Sequence, residues 1–191
     1  KTPVLVKDSP GFVVNRILMP YLIEAVSMAE TMHDPWLIDD AMTEFGMPMG
    51  PLRLLDEIGF DVALHVAATM TRAFPGRLPN SPLLATLVSA GMLGRKNKKG
   101  FYLHNASDPA PNPGLLKHLK PAFREPDRAA LVARLTGLMR AEAKRCLDEH
   151  VAASATDIEL AMLLGTGFPP LRERRGSRAV AGRPASESEP R

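Results

Sequence analysis

Asn15 is the residue whose type and placing ask for chemistry. It stands in KDSPGFVVNRILMPYL, with Phe12, Val13, Val14, Ile17 and Leu18 around it and Pro20 just beyond. A carboxamide both donates and accepts hydrogen bonds without adding charge. The plainer reading is an amide that caps a frayed first turn or bonds a neighbouring helix. Other residues suited to chemistry are sparse. His33, His65, His104, His118 and His150 are scattered, with no H-E-x-x-H, and Cys146 is the only cysteine. That set offers neither a metal site nor an internal disulfide, and a single thiol suits a reducing compartment. No G-x-G-x-x-G follows a strand, and there is no G-x-x-x-x-G-K-[ST] and no G-x-S-x-G. Gly165-Thr166-Gly167 comes nearest to a phosphate cradle, but it runs into Phe168-Pro169-Pro170 and opens no helix. These residues do not amount to a whole catalytic apparatus.

Two further groups could hold a ligand. Arg95, Lys96, Lys98 and Lys99 lie between Gly94 and Gly100 and could meet phosphates, although a charge run of this kind more often faces water. Asp56, in LLDEI, reads as a buried carboxylate paired with Arg53 or Arg16. His65 reads as a core histidine, and Trp36 with Met28, Met32, Met42, Met47 and Met49 as core or dimer contact.

The elements that must position these residues are helices. Ser9-Pro10 is an N-cap followed by a first helical residue, and the apolar positions from Val14 to Met32 keep the three-and-four spacing of one buried face. Pro20 removes one bond from that helix and predicts a kink, at a cost of about 3 kcal/mol unless neighbours compensate. Asp34-Pro35 opens a second helix that closes at Gly46, and Gly50-Pro51 a third that closes at Gly59. Asp61 caps a fourth, to about Phe74, and Ser81-Pro82 opens a fifth. A long helix from Asp127 to His150 and a shorter one from Ser154 to Gly165 follow. Nothing has the alternation of a strand, so the fold class is all-α. Asp39-Asp40-Ala41-Met42 with Gly46-Met47-Pro48, against Ile158-Glu159-Leu160-Ala161-Met162 with Gly167-Phe168-Pro169, suggests a degenerate internal repeat.

The 191 residues suffice for one core or two small ones. Clustered prolines, Pro109, Pro111, Pro113, Pro121 and Pro126, mark a linker. The predicted organisation is a domain over 1–105, a Pro-rich linker over 106–126, a second repeat over 127–170 and a disordered basic tail over 171–191. The tail holds six arginines and three glutamates and so the whole net charge of +3, leaving 18 basic and 18 acidic groups elsewhere. A neutral body argues against nucleic-acid binding, and no apolar run is long enough for a membrane span. Lys1 opens the chain with neither methionine nor a signal-peptide pattern, which predicts that it was cut from something longer.

Four segments, in order, resemble a known family. They are Ser9-Pro10-Gly11-Phe12-Val13-Val14-Asn15-Arg16, with Pro20-Tyr21 and Glu24-Ala25 beyond; Phe45-Gly46-Met47-Pro48-Met49-Gly50-Pro51; Leu55-Asp56-Glu57-Ile58-Gly59-Phe60-Asp61; and Gly94-Arg95-Lys96 through Gly100-Phe101-Tyr102. Together they resemble the C-terminal helical domain of 3-hydroxyacyl-CoA dehydrogenases, most of all that of multifunctional fatty-acid β-oxidation proteins. The block after the linker resembles the degenerate second repeat of those proteins. Beyond Pro170 the chain departs from them: it gives Leu171-Arg172-Glu173-Arg174-Arg175 where they continue with a glycine-rich turn and another helix.

The resemblance implies a two-part enzyme. An N-terminal Rossmann domain, absent here, binds NAD and supplies a His–Glu pair that takes the hydroxyl proton while C3 gives hydride to the nicotinamide. The helical half closes over acyl-CoA and provides a homodimer or multienzyme contact. Asn15 is then a catalytic and substrate-binding candidate at the interdomain cleft, with Arg16 beside it as a second substrate-binding candidate. No cofactor or metal site is implied in this chain, which alone should not catalyse hydride transfer. The compartment implied is the cytoplasm of a bacterium, or mitochondrion or peroxisome in a eukaryote. The rival reading is a non-catalytic helical dimerisation or assembly module.

Overall fold

The computed structural model describes residues 2–122 and 127–168. Seven α-helices carry the fold: α1 Val14–Ala29, α2 Leu37–Phe45, α3 Pro51–Ile58, α4 Phe60–Ala73, α5 Pro82–Ser89, α6 Arg128–Asp148 and α7 Ala155–Thr166. The predicted all-α class holds, with one small exception. Tyr102–Leu103 (β1) and Ala110–Pro111 (β2) form an antiparallel pair, too short for any alternation to appear in the sequence.

α1 is the central helix. It runs through Pro20 and buries almost every residue from Arg16 to Ala29, with α3, α4, α5, α6 and α7 packed around it. Its start differs from the Ser9-Pro10 expectation. Gly11 and Phe12 have φ of +78° and +50°, outside the helical region, so the chain makes a turn first and the helix begins at Val14. The later boundaries follow their local signals. Asp127 accepts from Ala130 N–H at 3.2 Å and Ser154 from Asp157 N–H at 3.2 Å, each capping its helix. Gly46 and Gly167 end α2 and α7 in the left-handed conformation.

Residues on both sides of the Pro-rich segment share one core. Tyr21, Leu22 and Val26 of α1 lie in the same buried cluster as Leu131, Leu135 and Met139 of α6 and Ile158 and Met162 of α7. The C-terminal ends of α2 and α7 also meet, with the Phe45 and Phe168 rings 6.5 Å apart. Most of the segment read as a linker is itself packed. Leu115 and Leu119 are buried, Asn112 donates to the Gly100 carbonyl at 2.8 Å, and the N–H groups of Lys120 and Ala122 each donate, at 2.7 Å, to the carbonyls of Glu30 and Thr31. Residues 123–126 and the predicted tail at 171–191 lie outside the described residues.

Candidate functional site

The turn before α1 sets the site. The Phe12 N–H donates to the Ser9 carbonyl at 2.8 Å and the Arg16 N–H to the Gly11 carbonyl at 3.3 Å, so the chain doubles back just before the helix. Glycine is required at position 11, since a Cβ there would lie 2.9 Å from Met70 Sδ on a backbone of φ +78°. Phe12 adopts the left-handed region without that freedom, and 55% of its surface is exposed. Asn15 follows in the first turn of α1, also exposed, and its amide has no hydrogen-bond partner among the described residues. The reading of Asn15 as a cap or an interhelical bond therefore has no partner to support it here.

Two clefts open on either side of Asn15 and Phe12. One, of about 400 Å³, is walled by Val4, Val6, Val13 and Val14 and, from the second block, by Ala161, Leu164 and Gly165. The other, of about 260 Å³, is lined by His65, Val66, Thr69 and Met70 of α4. His65 is exposed in this cleft, not a core residue as its apolar neighbours suggested. It belongs to the surroundings of Asn15, and only tertiary packing could have placed it there.

Arg16 does something else. It has no exposed surface: its Nε donates to Glu142 at 2.8 Å, an NH2 group to Glu149 at 2.6 Å, and the Phe74 ring lies 4.2 Å from the guanidinium carbon. A guanidinium so occupied cannot reach a substrate, which corrects the expectation for Arg16. Its role is to join the start of α1 to α6. Arg77 and Arg145 add to the same cluster through Glu142, and Arg77 also pairs with Glu149 at 2.7 Å. Hydrogen bonding from Arg16, working against burial and helped by Arg77, holds the Glu149 carboxyl below its usual value. Breadth of pairing matters because a buried charge stripped of partners is costly.

A second polar cluster accounts for the other motif segments. Asp39 accepts from the N–H groups of Leu52 and Arg53 at 2.8 Å each and from the Tyr102 hydroxyl at 2.8 Å, so a carboxylate on α2 caps α3. Gly50 makes room for it; a Cβ there would sit 2.3 Å from Asp39 Oδ1. Asp56, fully buried, accepts from the N–H groups of Phe101 and Tyr102 at 2.9 Å and faces His104 Nε2 at 2.8 Å. It is buried and paired as expected, with His104 in place of Arg53 or Arg16. The cationic turn joins this scaffold through Arg95, paired with Glu57 at 2.7 Å, and Lys96, paired with Asp61, while Lys98 and Lys99 face solvent. Among the described residues no three His, Cys, Asp or Glu side chains are grouped to hold a metal ion.

Residues 11–104 match the family described as the 3-hydroxyacyl-CoA dehydrogenase C-terminal domain. Through this segment the chain belongs to that family. It is 38% identical over 185 residues to a glyoxysomal fatty acid beta-oxidation multifunctional protein of Cucumis sativus, covering 90% of this chain and 25% of the relative. It is 39% identical over 184 residues to the fatty acid oxidation complex subunit alpha of Idiomarina loihiensis, with the same coverage of 90% and 25%. The chain thus spans about a quarter of the length of the curated relatives it matches. Among solved structures, 3-hydroxybutyryl-CoA dehydrogenase from Escherichia coli superposes with a TM-score of 0.72 at 26% identity, over 90% of this chain and 54% of that one. The dehydrogenase part of multifunctional enzyme 1 from C. elegans gives 0.65 at 25% identity, over 88% and 40%. Both superpositions extend past residue 104, so likeness to the 3-hydroxyacyl-CoA dehydrogenases takes in α6 and α7 as well.

Proposed function

We propose that this chain is the substrate-binding and dimerisation part of an NAD-dependent 3-hydroxyacyl-CoA dehydrogenase of fatty-acid β-oxidation, which oxidises 3-hydroxyacyl-CoA to 3-oxoacyl-CoA when joined to a Rossmann domain. The observation that carries this reading is Asn15, an unpartnered amide held at the junction of two clefts by a turn of unusual backbone. An amide there can donate to the substrate oxygen at C3 both as alcohol and as developing ketone, and can accept from a protonated group beside it. The backbone that carries it is held in place before substrate arrives because Arg16, the next residue, is paired with Glu142 and Glu149 at the other end of its side chain. Among the described residues the strands are one antiparallel pair of two residues each, and no glycine-rich turn joins a strand to a helix, which does not fit a dinucleotide cradle. NAD is therefore assigned to the Rossmann domain, and acyl-CoA is the ligand shared between the two parts. Homodimer or multienzyme assembly through the helical half, in the compartment where β-oxidation runs, completes the reading.

The test is 3-hydroxyacyl-CoA oxidation by the polypeptide that joins this chain to its Rossmann domain, with NAD in excess. Asn15→Ala should lower kcat by about 100-fold, the scale of removing one preorganised donor, with oligomer mass and circular dichroism unchanged. An unaltered kcat would leave the helical half as an assembly module.

A further inference from the structure

The larger cleft beside Asn15 is built from both sequence blocks. Val13, Val14 and Phe12 form one wall, and Ala161, Leu164 and Gly165 of α7 face them. α7 comes close because position 165 has no side chain: a Cβ there would lie 3.2 Å from Val14 Cγ2. Apart from Thr2 and Asn15, every side chain lining this cleft is apolar or absent. Its two largest apolar residues, Phe12 at 55% and Leu164 at 58% exposure, are left facing water. Phe12 is kept there on a left-handed backbone that strains an aromatic residue. The cleft on the other side of Asn15 has a different character, with His65 and Thr69 offering polar groups. An elongated ligand whose reacting oxygen meets Asn15 therefore has an apolar side and a polar side to choose between, and a volume of about 400 Å³ on the apolar side lies within the range of small-molecule sites.

We infer that the Phe12–Leu164 cleft holds the fatty acyl chain of the substrate, so that α7 of the second block is a wall of the binding site and Leu164 a specificity-determining residue. The inference rests on the reading of Asn15 given above and adds where the chain beyond C3 lies. It gives the second repeat a part in substrate selection as well as in packing.

The experiment uses thiol protection in the polypeptide that joins this chain to its Rossmann domain, with labelling read at the peptide that carries each position. Cys146 is buried and its thiol is pushed up to about 11, chiefly by burial, so it is a quiet background for an introduced cysteine. Leu164→Cys is alkylated with and without a long-chain acyl-CoA, a short-chain acyl-CoA and CoA. Leu116→Cys, replacing a residue 44% exposed on another surface, controls for detergent-like coating. With ligand at about ten times its Kd, long-chain acyl-CoA should slow labelling of Leu164→Cys about tenfold, short-chain acyl-CoA less, and CoA hardly at all, with Leu116→Cys unaffected. Equal protection at both positions, or none at Leu164→Cys, would overturn the inference. Phe12→Gly is the second arm: it should fold at least as stably as the parent chain and lose the protection, whereas lower stability with protection intact would make Phe12 a packing residue and also count against the assignment. The Asn15→Ala kinetics stay separate. A protected cleft with no effect of Asn15 on kcat defeats the role given to Asn15, while a strong Asn15 effect with no protection defeats only the acyl assignment.

Discussion

Asp39 concentrates much of the first block's specificity in one carboxylate. It supplies α3 with the acceptor that Gly50 cannot offer, satisfying two helix N-terminal amides from another helix, and it ties in the Tyr102 hydroxyl. Burial raises its pKa from 3.8 to about 6, against the lowering effect of the hydrogen bonds from Leu52, Tyr102 and Arg53. The sign of the consequence follows from linkage. Between these two values the folded chain holds a proton that the unfolded chain has released, so stability falls as pH rises from about 4 to about 6 and is flat above. The expected loss is roughly 3 kcal/mol. Urea midpoints of the parent chain and Asp39→Asn across that interval should show this slope in the parent and not in the variant; parallel curves would mean that the carboxyl is already ionised near pH 4. The sequence made Gly50-Pro51 legible as a helix start, because proline at the first helical position is a local signal. It could not reveal that the glycine yields its space to a carboxylate 11 residues earlier in the chain, a requirement set by tertiary approach. The same holds for Gly100, where a Cβ would meet Asp56 Oδ1 at 2.0 Å.

At the scale of elements, the join between α1 and α6 depends on charge as well as on apolar packing. Arg16 reaches Glu142 across 126 residues of sequence and Glu149 across 133. Replacing it with methionine keeps the apolar stem and leaves Glu142, 2% exposed, without its best-buried partner. Loss of one member of such a pair costs about 3–5 kcal/mol, and Arg77 and Arg145, which still bond Glu142, should hold Arg16→Met to about 3 kcal/mol. Glu149→Gln, at a carboxylate with 37% exposure, should cost well under half as much, and chemical denaturation of the two variants checks the ranking. Helix existence and most helix ends were readable, because caps such as Asp127, Ser154 and Gly46 act within a few residues of themselves. The start of α1 was not. Ser9-Pro10 carries the composition of a helix start, but what decides the outcome is the Gly11–Phe12 backbone, held by the Ser9 turn below and Arg16 above. Arg16 looked like a ligand residue because it adjoins Asn15; its partners lie in the other block, beyond the reach of periodicity.

For the whole molecule, prolines between residues 106 and 126 report the absence of α-helix among the described residues there and say nothing about packing. Leu115 and Leu119 enter the core from that stretch, and the backbones of Lys120 and Ala122 bond the carbonyls just after α1. The blocks on either side should accordingly unfold together. Leu131, Leu135, Met139, Ile158, Met162 and Phe168 are each at most 2% exposed. Exposing six such side chains, at about 1.5–3 kcal/mol apiece, forfeits as much as the entire net stability of an ordinary domain, roughly 5–15 kcal/mol. A chain ended at residue 105 would also uncover the α1 face on which α6 lies. It should therefore lack a cooperative transition, showing little near-ultraviolet dichroism and exposed apolar surface. In the intact chain the first block has its own reporter in Trp36, whose indole N–H donates to the Phe101 carbonyl at 2.8 Å, while far-ultraviolet dichroism follows all seven helices. The two signals should share one urea midpoint. Separate midpoints, with the shortened chain folding by itself, would mean that the two blocks touch without depending on each other, and α7 would then be a detachable wall of the Asn15 cleft.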